Sequence, residues 1–153
     1  MEQLLKKLNY KDQSPILLLN LPAELSDFAH YIQSVTELVD SLDKVEKPQF
    51  ALFFVTQLSE IEAIAHSLQG RLEADPIIWF VYPKGTSKRY KCNFNRDTGW
   101  AALGKLGLES VRMVAVNEDW SALRFRRVEY IKVLTRKFET LSEEGNRKMR
   151  DER

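Results

Sequence analysis

Apolar residues along this chain occur in two arrangements that alternate: short unbroken runs, and positions spaced three or four apart. The runs are Ile16-Leu17-Leu18-Leu19, Phe50-Ala51-Leu52-Phe53-Phe54-Val55 and Ile77-Ile78-Trp79-Phe80-Val81. A strand covered by helices on both faces is apolar at every position, so these runs predict buried strands. After Pro22, residues Leu25, Phe28, Ala29, Ile32, Val35, Val39 and Leu42 recur at helical spacing and predict one long amphipathic helix. Leu58, Ile61, Ala65, Leu68 and Leu72 mark another, with Thr56 or Ser59 as N-cap and a capping-box spacing from Ser59 to Glu62. Asp75-Pro76 ends it. Leu4, Leu5 and Leu8 allow two further helical turns near the start.

Beyond the third run, Trp100 and Leu103 point inward from a short helix capped by Asp97 or Thr98 and stopped by Gly107. Val111, Met113, Ala115 and Trp120, with Val114 and Val116 opposite, predict a fourth strand leading into a turn. Leu123-Arg124-Phe125-Arg126 alternates apolar with basic, the mark of a half-exposed strand returning antiparallel. This order predicts a three-layer α/β sandwich over residues 1–138, Rossmann-like, with a mostly parallel central sheet and a C-terminal antiparallel hairpin. Residues 139–153 form a charged tail with few apolar anchors, for which fraying or disorder is expected. Right-handed crossovers bring the carboxyl ends of parallel strands to one rim. Asn20, Thr56, Asp119, Trp120 and Arg124 are the rim candidates.

Charge sharpens this picture. The chain carries a formal net charge of +1, yet residues 1–75 hold six Lys/Arg against twelve Asp/Glu and the remainder seventeen against ten. Directly after the third run, Lys84, Lys88, Arg89, Lys91 and Arg96 follow one another with no acid before Asp97. In open α/β sheets ligands bind beyond the carboxyl ends of strands, so this basic loop, residues 84–96, is the expected anion-binding edge. Tyr90 and Phe94 are interleaved with its cations, but the sequence pI of 7.8 lies below the value above about 9 usual for nucleic-acid domains. A phosphate-bearing or other anionic small molecule is the better expectation.

Several chemistries are disfavoured. Gly99 to Leu106 matches the P-loop spacing except that Leu106 stands where Ser or Thr must reach Mg²⁺, and the segment is a helix rather than a strand-to-helix turn. His30 and His66 fall on polar helix faces away from the rim. One cysteine and two separated histidines give no metal-ligand cluster, and no cofactor is expected. Cys92, although beside Arg89 and Lys91, has no partner that would make it a nucleophile. A single cysteine, no membrane-length apolar run and a charged beginning lead us to expect a cytoplasmic protein, with its oligomeric state open.

The block Ile78-Trp79-Phe80-Val81-Tyr82-Pro83-Lys84, then Gly107-Leu108, then Glu118-Asp119-Trp120-Ser121-Ala122-Leu123-Arg124 resembles a bacterial family catalogued as domain of unknown function 3052. The resemblance covers roughly residues 50–128 and implies an α/β fold and a bacterial cytoplasmic origin without an assigned activity. The final hairpin also resembles the sheet end of S-adenosylmethionine-dependent methyltransferases. Those enzymes place a Gly-rich turn after their first strand, where this chain has Asn20-Leu21-Pro22-Ala23. With no nucleophile–base pair in view, catalytic residues are not identified and a non-enzymatic binding or interaction module is the leading expectation. The alternative is a small enzyme, or a degenerate methyltransferase-like protein, working through Lys84, Asp119 and Trp120.

Overall fold

A computed structural model of the chain describes residues 1–94 and 99–131. Six strands form one sheet: β1 (Ile16–Leu19), β2 (Leu38–Val39), β3 (Phe50–Phe54), β4 (Ile77–Pro83), β5 (Leu108–Ala115) and β6 (Trp120–Arg127). Their order across the sheet is β2-β1-β3-β4-β6-β5. The first four run parallel, whereas β6 pairs antiparallel with both β4 and β5. Helices α1 (Glu2–Lys7), α2 (Ser26–Val35), α3 (Leu58–Leu68) and α4 (Ala101–Gly104) cover the two faces. The expected α/β class, with its parallel centre and antiparallel end, is what the chain adopts.

Strand periodicity divides the core in two. On one face Leu17, Phe53, Ile78, Phe80 and Phe125 pack with Ile61, Ala65 and Leu68 of α3 and with Trp100 and Leu103. On the other, Ile16, Leu18, Leu52, Trp79 and Val81 pack with Leu5 and Leu8 of α1 and its following turn, and with Phe28 and Ile32 of α2. Trp79 is fully buried and its indole N–H donates to the Leu8 carbonyl at 2.9 Å, which fastens α1 to the sheet. A buried indole without such an acceptor would carry a desolvation cost of about 1–3 kcal/mol.

Three local expectations are corrected. The long helix stops at Val35, because Thr36 is extended and Leu38-Val39 pair with Ile16-Leu17 as β2. Helical spacing persisted by coincidence into a segment that strand pairing claimed. The cap of α3 is Gln57 with Glu60, not Ser59 with Glu62, and the Glu60 carboxylate also accepts from the Thr56 N–H at 2.8 Å. In β5, Val114 is buried while Val111 and Met113 are exposed, since β5 is an edge strand with a bulge between Ser110 and Arg112. The charged tail, Arg96, and the caps Asp97 and Thr98 lie outside the described residues. No helix among the described residues is long and apolar enough to cross a membrane.

Candidate functional site

Strand β1 turns one way in the sheet toward β2 and the other toward β3, so the crevice between the carboxyl ends of β1 and β3 is the topological switch point. A cavity of about 210 Å³ lies there, lined by Asn20, Pro22, Phe54, Thr56, Glu60, Tyr90 and Trp120. Asn20 has a positive φ of 61°, a backbone state that short polar side chains tolerate, and its Nδ2 donates to the Phe54 carbonyl at 3.3 Å. That bond ties the end of β1 to the end of β3 across the crevice.

Trp120 opens β6 and is only 2% exposed. It meets Phe54 edge-on at 5.3 Å between centroids and Tyr90 at 4.9 Å, so one indole lies between a strand residue and a loop residue. Its Nε1–H is buried with no acceptor in hydrogen-bonding geometry, although the nearby Glu24 carboxylate is slightly stabilised by it. The Tyr90 hydroxyl donates to Glu24 Oε1 and holds that carboxyl below the ordinary range, while the same bond pushes the Tyr90 phenol up. Tyr90 therefore closes the crevice from outside, latched to Glu24.

The basic loop reaches this position because it is pinned along its length. The Ser87 hydroxyl donates to buried Asp119 at 2.8 Å and accepts from the Arg89 and Tyr90 amides. The Lys84 amide donates to the Asp119 carbonyl at 2.8 Å. Further on, Asn93 accepts from the Leu58 amide at 2.7 Å and donates to the Gln57 side chain, joining the loop to the start of α3. Asp119 is thus an anchor for the loop. The turn itself is closed by Asn117, whose Oδ1 accepts from the Asp119 and Trp120 amides.

Among the described residues the loop's cations, Lys84, Lys88, Arg89 and Lys91, do not all line one cavity. Lys84 and Lys91 line a second cavity, of about 460 Å³, with Tyr82, Cys92, Met113 and Ser121. Lys88 is exposed, and Arg89 lies over the Tyr90 ring at 5.7 Å. Cys92 is half-buried, with its thiol donating to the Phe94 carbonyl at 2.9 Å. His30 and His66 are exposed on their helices. Asn20, Thr56 and Trp120 meet at the crevice, with Asp119 beside them. Arg124 does not: it pairs with Trp79 in the register and faces the far end of the sheet. Sequence reasoning missed Glu24 and Glu60. Glu60 carried a signal, its three-residue spacing from Gln57, whereas Glu24 is brought in only by the fold.

No family model and no curated protein matches this chain. Solved structures do. A chain from Sulfolobus solfataricus named as a type 11 methyltransferase superposes with a TM-score of 0.56 at 8% identity, over 90% of this chain and 95% of that one. A SAM-dependent methyltransferase from Aquifex aeolicus gives 0.55 at 12% identity, over 83% and 89%. The fold is methyltransferase-like. The residues present do not fit that cofactor as the crevice stands: no glycine occupies 20–23, Asn20 is bonded across the opening, and Tyr90 rests on Trp120. A side chain at such a turn blocks the close backbone approach that glycine permits.

Proposed function

We propose that this protein is a degenerate, non-methylating relative of the methyltransferase fold: a small-molecule-binding module that holds a planar heterocycle of nucleobase size in the β1/β3 crevice. The observation that carries this reading is Trp120, a buried indole at the switch point whose N–H lacks an acceptor in hydrogen-bonding geometry and whose ring, backed by Phe54, is covered by a latched tyrosine. A heterocycle displacing Tyr90 would stack on Trp120, accept from Nε1–H and find the Glu24 carboxylate free to accept from an amino group. The ligand class is a small one, because about 210 Å³ is less than drug-sized ligands usually occupy. On its residue pattern over 50–128, we further propose kinship with the bacterial cytoplasmic family catalogued as domain of unknown function 3052.

The test is calorimetric titration of adenine, adenosine and S-adenosylmethionine into wild type, Trp120→Phe and Tyr90→Ala. We expect the base or the nucleoside to bind, Tyr90→Ala to bind more tightly because no latch must be broken, and no methyl group to be consumed. Absence of binding to both wild type and Tyr90→Ala would sink the reading, as would methyl transfer by the wild type. A second reading rests on Lys84 and Lys91 sharing the cavity of about 460 Å³: a small anion held by the loop. Unchanged anion affinity in a Lys84→Ala, Lys91→Ala double variant would remove it.

A further inference from the structure

The far end of the sheet gathers arginines from two strands. Arg112 of β5 stands directly opposite Arg124 of β6, and Arg126 lies two residues along the same strand, on the same face. Like charges opposed across a strand pair destabilise it, so this arrangement is costly unless something negative offsets it. Helix α1 and the turn after it close the space above these side chains, leaving a cavity of about 610 Å³. Lys6, Lys11, Arg124 and Arg126 line it, and Asp75 is the one carboxylate among its lining residues.

Asp75 is already engaged, because it receives Arg126 in a bidentate pair with Nη2–Oδ2 at 2.7 Å. Arg112 is bonded to the Asn9 amide oxygen at 2.9 Å, a neutral partner. Glu109, opposite Arg126 in the register, is fully buried and does not line the cavity. Arg124 is paired with no carboxylate among the described residues, and its Nε–H is buried without an acceptor. Burial, then the neighbouring Arg126, push its guanidinium below the usual arginine range, with Asp75 opposing and Arg112 adding to the effect. The cavity also presents Tyr10 and Ile77, an aromatic ring and an apolar wall beside the charges.

We propose that this cavity is a binding site for a small organic phosphate, with Arg124 as its principal anion contact and Lys6, Lys11 and Arg126 around it. Guanidinium groups match phosphate oxygens in a planar, two-point fashion, which explains arginine rather than lysine at the centre. The volume exceeds what a bare phosphate fills, and Tyr10 and Ile77 offer surface for an attached organic group. This site is independent of the rim crevice and lies at the opposite end of the parallel strands.

Inorganic phosphate, pyrophosphate, adenosine monophosphate and uncharged adenosine, titrated by calorimetry at two salt concentrations, test the assignment. Adenosine monophosphate is expected to bind more tightly than phosphate, with affinity falling as salt rises, and adenosine not to compete for the site. Arg124→Gln should weaken the monophosphate by about tenfold or more, the usual consequence of losing a charge-assisted hydrogen bond. Without ligand, the same variant should melt no lower than wild type, because it relieves the repulsion with Arg112 and Arg126. A Lys105→Ala variant, exposed and outside both cavities, should bind as wild type does. The proposal is overturned if no phosphate binds saturably, if Arg124→Gln binds undiminished, or if unliganded Arg124→Gln melts several degrees lower. Equal binding of free phosphate and the monophosphate would overturn the organic-phosphate part of it.

Discussion

Two groups of cations sit at opposite ends of this sheet and are built in opposite ways. At the carboxyl rim, Lys84, Lys88, Arg89 and Lys91 are neighbours in sequence, and the loop that carries them is fastened by Ser87, Asn93 and Tyr90. At the amino end, Arg112, Arg124 and Arg126 come from two strands and are brought together by register alone. Adjacent cations on a loop can turn away from each other into water, and of these four Lys84 and Lys91 share a cavity while Lys88 and Arg89 are exposed. Strand-borne cations cannot turn away, because the pleat fixes which face each side chain occupies. A cluster along the chain is therefore weaker evidence of a site than a cluster across strands.

That contrast can be broken first at Trp120. If the rim is held by aromatic packing, Trp120→Ala should cost about 3–5 kcal/mol in chemical denaturation, the range for removing a large buried ring. Arg124→Gln at the other end should cost nothing in the same assay. A loss below about 1 kcal/mol for Trp120→Ala would mean that the rim relaxes without its indole.

Asp119→Ala comes next. It deprives Ser87 of a buried charged acceptor and frees the anchored part of the loop, so a loss of about 1–3 kcal/mol is expected. Amide hydrogen exchange should then quicken at Arg89 and Tyr90, whose amides donate to the Ser87 hydroxyl. Unchanged exchange there would show that the loop is fixed by Asn93 alone.

A smaller effect is expected for Tyr90→Phe, and its pH profile is the informative quantity. The Glu24 pKa is lowered by the Tyr90 hydroxyl, so this contribution to stability is present above the unfolded Glu value of about 4.3 and is lost as pH falls through the folded value. The Tyr90 pKa is raised, so the contribution is also present below about 10 and is lost as pH rises through the folded value. The difference in melting temperature between wild type and variant should be flat between these limits and shrink beyond both. A difference that shrinks toward neither the acid nor the alkaline limit would assign it to packing rather than to the latch.

Least of all should come from removing Lys88 and Arg89 together. Both are exposed and neither is ion-paired among the described residues, so the double alanine variant should lie within about 0.5 kcal/mol of wild type. A larger loss would mean that the contact of Arg89 with the Tyr90 ring helps to hold the latch shut.

The sequence by itself determined the fold class, because burial on both faces of a sheet demands unbroken apolar runs and burial on one face of a helix demands helical spacing. Ile16–Leu19, Phe50–Phe54 and the strand beginning at Ile77 were legible for that reason, and so was the antiparallel return of β6, although Trp120 reads with the preceding strand and in fact opens β6. Tertiary structure alone decided what depends on partners far away in the chain. Leu38-Val39 became a strand only because Ile16-Leu17 offered an edge to pair with. Glu24 joined the crevice only because Tyr90 reached across from the loop, and Arg124 left the rim because antiparallel pairing carried it opposite Trp79, toward the other end. Periodicity is a local property, since each residue's burial is set by the pitch of its own element. Register and closure join residues far apart in the chain, and no local pattern encodes which of them will meet.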